Sequence, residues 1–159
     1  MRTLLLAALV TAPAALHAAD RTLAVCDDVT DPMTLDPQKQ FSEKNHTIVQ
    51  QMFEGLVRFD AGGEVRPALA VSWRRLDDRT VQFVLRRGVR FQNGEPFDAA
   101  SVKFSVERYL DPATGFPALG FIDSLERVEV VDTHTVNVVT KFPDGLLLNR
   151  LAGFVVMVP

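Results

Sequence analysis

Apolar and polar residues alternate in some stretches of the chain and recur at helical spacing in others. Val81, Phe83 and Leu85 alternate with Gln82, Val84 and Arg86, the period of two that a strand with one buried face requires. Ser72 to Leu76 and Thr80 to Leu85 therefore read as a hairpin around Asp77-Asp78-Arg79. Leu125 to Val131 and Thr135 to Thr140 read as a second hairpin, around Asp132-Thr133-His134. Ile48, Val49, Met52, Phe53, Leu56 and Val57 fall on one helical face. They predict a helix capped by Ser42 or Asn45 and running to about Leu56. Leu56 to Phe59 can equally begin a strand, followed by a turn at Asp60-Ala61-Gly62-Gly63 and a return strand from Glu64 to Pro67.

Asp98 is a good N-cap for a helix from Ala99 to about Leu110. Val102, Val106, Tyr109 and Leu110 form its buried stripe, and Asp111-Pro112 ends it. Between the hairpin and this helix, turns at Gly88 and Asn93-Gly94 flank inward-pointing Val89 and Phe91. Leu146 to Leu151 reads as a short helix ended by Gly153, and Val155 to Val158 as a buried strand. Nearer the N-terminus, Leu23 to Cys26 reads as a buried strand and Asp27 to Gln40, with its prolines and aspartates, as an irregular connector. Antiparallel hairpins interleaved with helices define an α+β fold, not a doubly wound one.

The first nineteen residues are set aside from this fold. Met1-Arg2-Thr3 carries one positive charge, Leu4 to Leu16 is apolar apart from Thr11 and Pro13, and Ala18-Ala19 supplies small residues. That is the layout of a cleavable secretory signal peptide, and its apolar stretch is shorter than the ~20 residues of a membrane-spanning helix. The expected domains are thus 1–19, a signal peptide, and 20–159, an exported and periplasmic part that is not stably inserted in a membrane. Cys26 is the single cysteine, so no internal disulfide can form. Without Arg2 the chain holds sixteen basic and twenty acidic residues, a net charge of −4. With no block of like charge, nucleic acid is not an expected partner.

No Gly-x-Ser-x-Gly elbow, His-Glu-x-x-His pair, P-loop or dinucleotide fingerprint occurs, so no enzymatic activity or cofactor is expected. His46 and His134 are the histidines outside the leader, and neither has a second His or Cys within a turn. Asp27, Asp28 and Asp31 lack the Asx-Gly pattern of a calcium loop. No metal site is expected.

Five segments are specific in combination. They are Thr34-Leu35-Asp36-Pro37, Gln51-Met52-Phe53-Glu54-Gly55-Leu56, Arg66-Pro67-Ala68-Leu69-Ala70-Val71-Ser72-Trp73, the stretch from Thr80 to Phe91, and the stretch from Asn93 to Ser105. In this order and spacing the chain resembles the extracellular solute-binding protein family 5, the peptide, oligopeptide and nickel-binding group of ABC importers. Ser101 departs from the acidic residue that many members carry before the valine.

The resemblance implies a two-lobed, type II-like periplasmic-binding-protein fold with a hinged ligand cleft. This chain would supply the N-terminal part of lobe I and most of its small inserted subdomain, truncated at the C-terminus. The implied function is capture of a small solute, a short peptide first among them, for ABC transporter permease subunits. Nickel chelates, sugars and opines are alternative ligands within the same family, and a truncated product that binds nothing is a further alternative. By resemblance, the cleft face uses residues just after the first strand and those leading into the first long helix. These are Asp28, Val29, Thr30 and Asp31, then Phe41, Ser42, Glu43, Asn45 and His46. Phe41 can pack on an apolar side chain, and Ser42 and Asn45 can bond a peptide backbone. Ser42 serves equally as a helix cap. Trp73 and Phe83 are expected in the core, Gly55, Gly88 and Gly94 at turns, and Asp36-Pro37 at a bend.

Overall fold

A computed structural model describes residues 34–159. The leader and the strand expected at Leu23 to Cys26 lie outside the described residues, as does the first half of the connector, residues 27–33.

Helix α1 (Glu43–Met52) is followed by a small hairpin, β1 (Val57–Phe59) and β2 (Val65–Pro67). Its turn is held by Asp60, whose Oδ1 accepts the N–H groups of Gly62 (2.9 Å) and Glu64 (3.0 Å). Gly63 takes a φ of 80° there, a conformation that glycine reaches without a Cβ penalty.

Strands β3 (Ala70–Arg75), β4 (Thr80–Leu85), β5 (Leu125–Asp132) and β6 (Thr135–Thr140) form an antiparallel sheet in the order β3-β4-β6-β5. The two expected hairpins are its two halves, and β4 joins them by pairing Phe83 with Val136 and Val81 with Val138. Both outer strands carry register shifts, which twist an edge and discourage further pairing.

Helix α2 (Ala99–Leu110) lies across one face of this sheet, burying Val102, Val106 and Tyr109 against Leu125, Val128, Val136 and Val138. Asp98 caps it as expected: its side chain accepts from Ala100 and Ser101 N–H, and the Ser101 hydroxyl returns to Asp98. The serine that departs from the family pattern thus completes a capping box. A short 3₁₀ turn (Leu119–Ile122) leads into β5, and helix α3 (Leu147–Phe154) packs on the β1–β2 hairpin. Phe83 is fully buried, whereas Trp73 is half-buried, with ring centroids 6.4 Å apart.

Four expectations need correction. Helix α1 stops at Met52 rather than Leu56, because the Gly55 carbonyl is taken by Leu69 N–H at the foot of the hairpin. Leu56 there accepts backbone bonds from Ala68 and Ala70. Asn45 lies inside α1 and is not its cap; the carbonyl of Ser42, the residue before the helix, accepts from His46 N–H at 2.9 Å. Gly153 does not end α3, which runs one residue further.

The fourth concerns residues 155–158, which are extended and largely buried but belong to no strand. Val156 and Val158 donate to Tyr109 Oη (3.3 Å) and Ser105 Oγ (2.9 Å) on α2, and Met157 donates to the Glu54 carbonyl (3.0 Å). Side-chain hydroxyls occupy the positions that a neighbouring strand's carbonyls would take, so these buried N–H groups are satisfied without a ladder.

Candidate functional site

The end of the connector is fixed by a polar cluster on α2. Arg108 donates from Nη1 to Asp36 Oδ1 (3.0 Å) and from Nη2 to Asp36 Oδ2 (2.5 Å), a bidentate pair. Nη1 also reaches Gln38 Oε1 (2.6 Å), while Gln38 Nε2 donates to the Ser105 carbonyl (3.0 Å). Gln38 is fully buried, and every one of these bonds spans more than sixty residues of sequence. The Arg108 guanidinium holds the Asp36 carboxyl below its ordinary range. Asp36 is therefore committed to placing the bend that precedes Phe41.

From that anchor the chain passes Pro37 and Gln40 to Phe41, Ser42 and α1. Phe41, Ser42 and His46 meet at one small recess, lined also by Val49, Tyr109, Phe116, Phe154 and Val156. Its enclosed volume of about 20 Å³ admits one water, so any solute must lie over its mouth. None of these lining residues is an acid, a lysine or an arginine. Burial holds the His46 imidazole below its ordinary value, which keeps it neutral at pH 7, and its Nε2 lies 2.7 Å from Gln50 Nε2.

Above the recess, aromatic rings from four parts of the chain converge. Phe121 and Phe154 stack with centroids 4.7 Å apart and planes 13° apart. Phe41 packs 5.5 Å from Phe154 and 5.9 Å from Phe121. Phe116 closes the base, edge-on to Tyr109 at 4.7 Å. Burial raises the Tyr109 phenol to about 12, so it stays protonated. Arg150 ties the two carriers of the stack together: Nη1 on α3 donates to the Phe121 carbonyl (2.6 Å), while Nε lies 2.9 Å from Asp144. Phe121 is 51% exposed and Phe41 37%.

Of the expected cleft residues, Phe41, Ser42 and His46 are brought together. Asp28, Val29, Thr30 and Asp31 lie outside the described residues, as do the side chains of Glu43 and Asn45. Sequence reasoning missed Phe116, Phe121, Phe154, Tyr109 and Arg108. Two phenylalanines in the Gly- and Pro-punctuated loop of residues 111–121 were the available signal, since apolar residues in an irregular loop ask for a partner. Among the described residues there is no cluster of metal-ligating side chains, and no helix is long and apolar enough to cross a membrane.

Comparison with known proteins places this architecture. The glutathione-binding protein GsiB of Salmonella choleraesuis is 33% identical over 148 residues, 92% of this chain and 28% of GsiB. The murein tripeptide binding protein MppA of Escherichia coli superposes with a TM-score of 0.73 at 27% identity, covering 79% of this chain and 28% of MppA. AgaA of A. tumefacien R10, solved with agropinic acid, gives 0.74 at 30% identity, covering 81% and 26%. The chain thus spans about a quarter of the length of the relatives it matches. The described α+β structure corresponds to part of a two-lobed periplasmic binding protein. The model of the bacterial extracellular solute-binding proteins, family 5, middle region, matches residues 64–159, and the chain belongs to that family.

Proposed function

We propose that this chain forms part of the substrate-binding component of an ABC importer, contributing one wall of the cleft that captures a short peptide or similar small solute. The recess where Phe41, Ser42 and His46 meet carries this reading. Apolar rings and hydroxyl and amide groups surround it without a fixed charge, a lining suited to a solute that must be held and then released. Glutathione and murein tripeptide in the names of two relatives favour a peptide backbone as the recognised group, and agropinic acid on AgaA supports an opine as second choice.

On this reading Asp28, Val29, Thr30, Asp31 and Asn45 join Phe41, Ser42 and His46 at the cleft. Residues 1–19 direct export, residues 20–159 form part of lobe I with its small subdomain, the protein works in the periplasm, and permease subunits receive the solute. No residue here is assigned a catalytic role. The test is mass spectrometry of small molecules released from the gently purified complete gene product, followed by calorimetric titration of what is found. A defined set of short peptides returned unchanged is the expected result. A substrate converted to product would overturn the carrier reading, and a bound opine in place of peptides would replace the ligand.

A further inference from the structure

Phe116 belongs to the buried core and Phe154 packs against it, whereas Phe121, on the 3₁₀ turn, and Phe41, just before α1, reach out from it with exposed ring surface. Phe121 keeps half of its surface exposed although a partner ring lies stacked 4.7 Å away. Burying an apolar side chain is favourable in proportion to the area removed from water, so an exposed stacked ring leaves part of that free energy unused. Its surroundings decide what can use it. The recess lining carries no ionised group at neutral pH: His46 is neutral, Tyr109 protonated and the remainder apolar or uncharged. Arg150, which touches the wall through the Phe121 carbonyl, is held by Asp144 on its other side. Among the described lining residues a charged group would lose water and find no counter-charge, a cost that outweighs contact with the rings. A flat apolar ring loses only apolar hydration and gains offset-stacked or edge contacts with Phe121 and Phe41.

Building on the proposed solute-binding role, we infer that Phe41, Phe121 and Phe154 form a specificity wall that selects solutes bearing an uncharged aromatic or alicyclic ring. Phe121 is the contact residue. Phe154 is its positioning residue, because it backs the Phe121 ring at 13°. Arg150 fixes the height of the wall through the backbone rather than through its charge.

The probes are the tripeptides Ala-Phe-Ala, Ala-Ala-Ala, Ala-Asp-Ala and Ala-Lys-Ala, titrated calorimetrically into the complete gene product and into its Phe121→Ala and Phe121→Tyr variants. Ala-Phe-Ala is expected to bind about tenfold more tightly than Ala-Ala-Ala, which corresponds to about 1.4 kcal/mol, and the two charged peptides more weakly still. Phe121→Ala is expected to erase that preference, so that Ala-Phe-Ala and Ala-Ala-Ala bind alike, and Phe121→Tyr to keep it. An unchanged urea-unfolding midpoint for Phe121→Ala separates a lost contact from a damaged fold. If all four peptides bind equally, or Phe121→Ala weakens all of them alike, the specificity wall is overturned and the carrier role stands. If no tripeptide binds, the peptide-carrier reading and the inference built on it are both overturned.

Discussion

Replacing Gly55 by alanine isolates a constraint that no local pattern announces. Gly55 is not among the positive-φ glycines, so its backbone would accept alanine without strain. A Cβ placed there would meet the Val155 carbonyl oxygen at 2.8 Å, the Val57 carbonyl oxygen at 3.0 Å and the Leu151 carbonyl oxygen at 3.6 Å. All three are backbone atoms, and their surroundings cannot yield cheaply. The Gly55 carbonyl is tied to Leu69 N–H at 3.1 Å, Leu56 to Ala68 and Ala70, and Met157 to Glu54. Relieving the clash means lifting the end of α3 from the β1–β2 hairpin and opening part of this junction. Overpacking a tight site typically costs about 1–3 kcal/mol. Trp73, the only tryptophan of this chain, offers a fluorescence signal for urea unfolding. Gly55→Ala is expected to lose about 1–3 kcal/mol at unchanged denaturant slope. Gly120→Ala, where nothing lies within 4 Å and φ is not positive, is expected to stay within about 0.5 kcal/mol of the parent. A Gly55→Ala variant as stable as Gly120→Ala would refute the close-approach argument.

Other consequences follow from the polar contacts. Arg108→Ala is expected to cost about 1–2 kcal/mol in urea unfolding, and Arg108→Lys to restore little of it, because an ammonium cannot reproduce the bidentate fork. The Asp36 carboxyl has its pKa lowered in the folded state. Its contribution is therefore fully present above the unfolded value of 3.8 and lost as pH falls through the lower folded value, and a stability–pH profile of Arg108→Ala should lack that acid limb. Ser105→Ala strands the buried Val158 N–H and should cost about 1–3 kcal/mol, more than Tyr109→Phe, whose bond to Val156 is long at 3.3 Å; urea midpoints give the ranking. Tyr109 is this chain's only tyrosine, so phenolate absorbance should titrate with a midpoint near 12 rather than 10.0. Since its unfolded state ionises first, stability should decline as pH rises above about 10. Asp98→Ala removes two accepted backbone bonds at the start of α2 and should cost about 1 kcal/mol, checked by loss of helical circular dichroism stability.

The sequence alone determined what depends on near neighbours. The period of two in residues 81–85 fixed which face of β4 is buried, and a one-residue slip would turn every side chain over. Asp98 announced the start of α2 to the residue, because a cap bonds N–H groups two and three positions on. Gly63, Gly88 and Gly94 sit at turns with φ of 80°, 73° and 89°, as turn chemistry demands. Five segments in register named the family, whose extracellular solute-binding members the relatives represent.

Tertiary structure decided whatever depended on a partner far along the chain. Gly55 had the appearance of a turn residue; carbonyls of residues 151 and 155 make it a contact point. Residues 155–158 have the composition of a strand, yet hydroxyls of α2 some fifty residues earlier answer their N–H groups. Phe41 was singled out through the family resemblance, but the rings it meets, Phe116, Phe121 and Phe154, lie on a loop, a 3₁₀ turn and a helix end. Periodicity reports which residues share a face of one element. Which faces of separate elements meet is set by packing of the whole, and the ring wall exists only at that level.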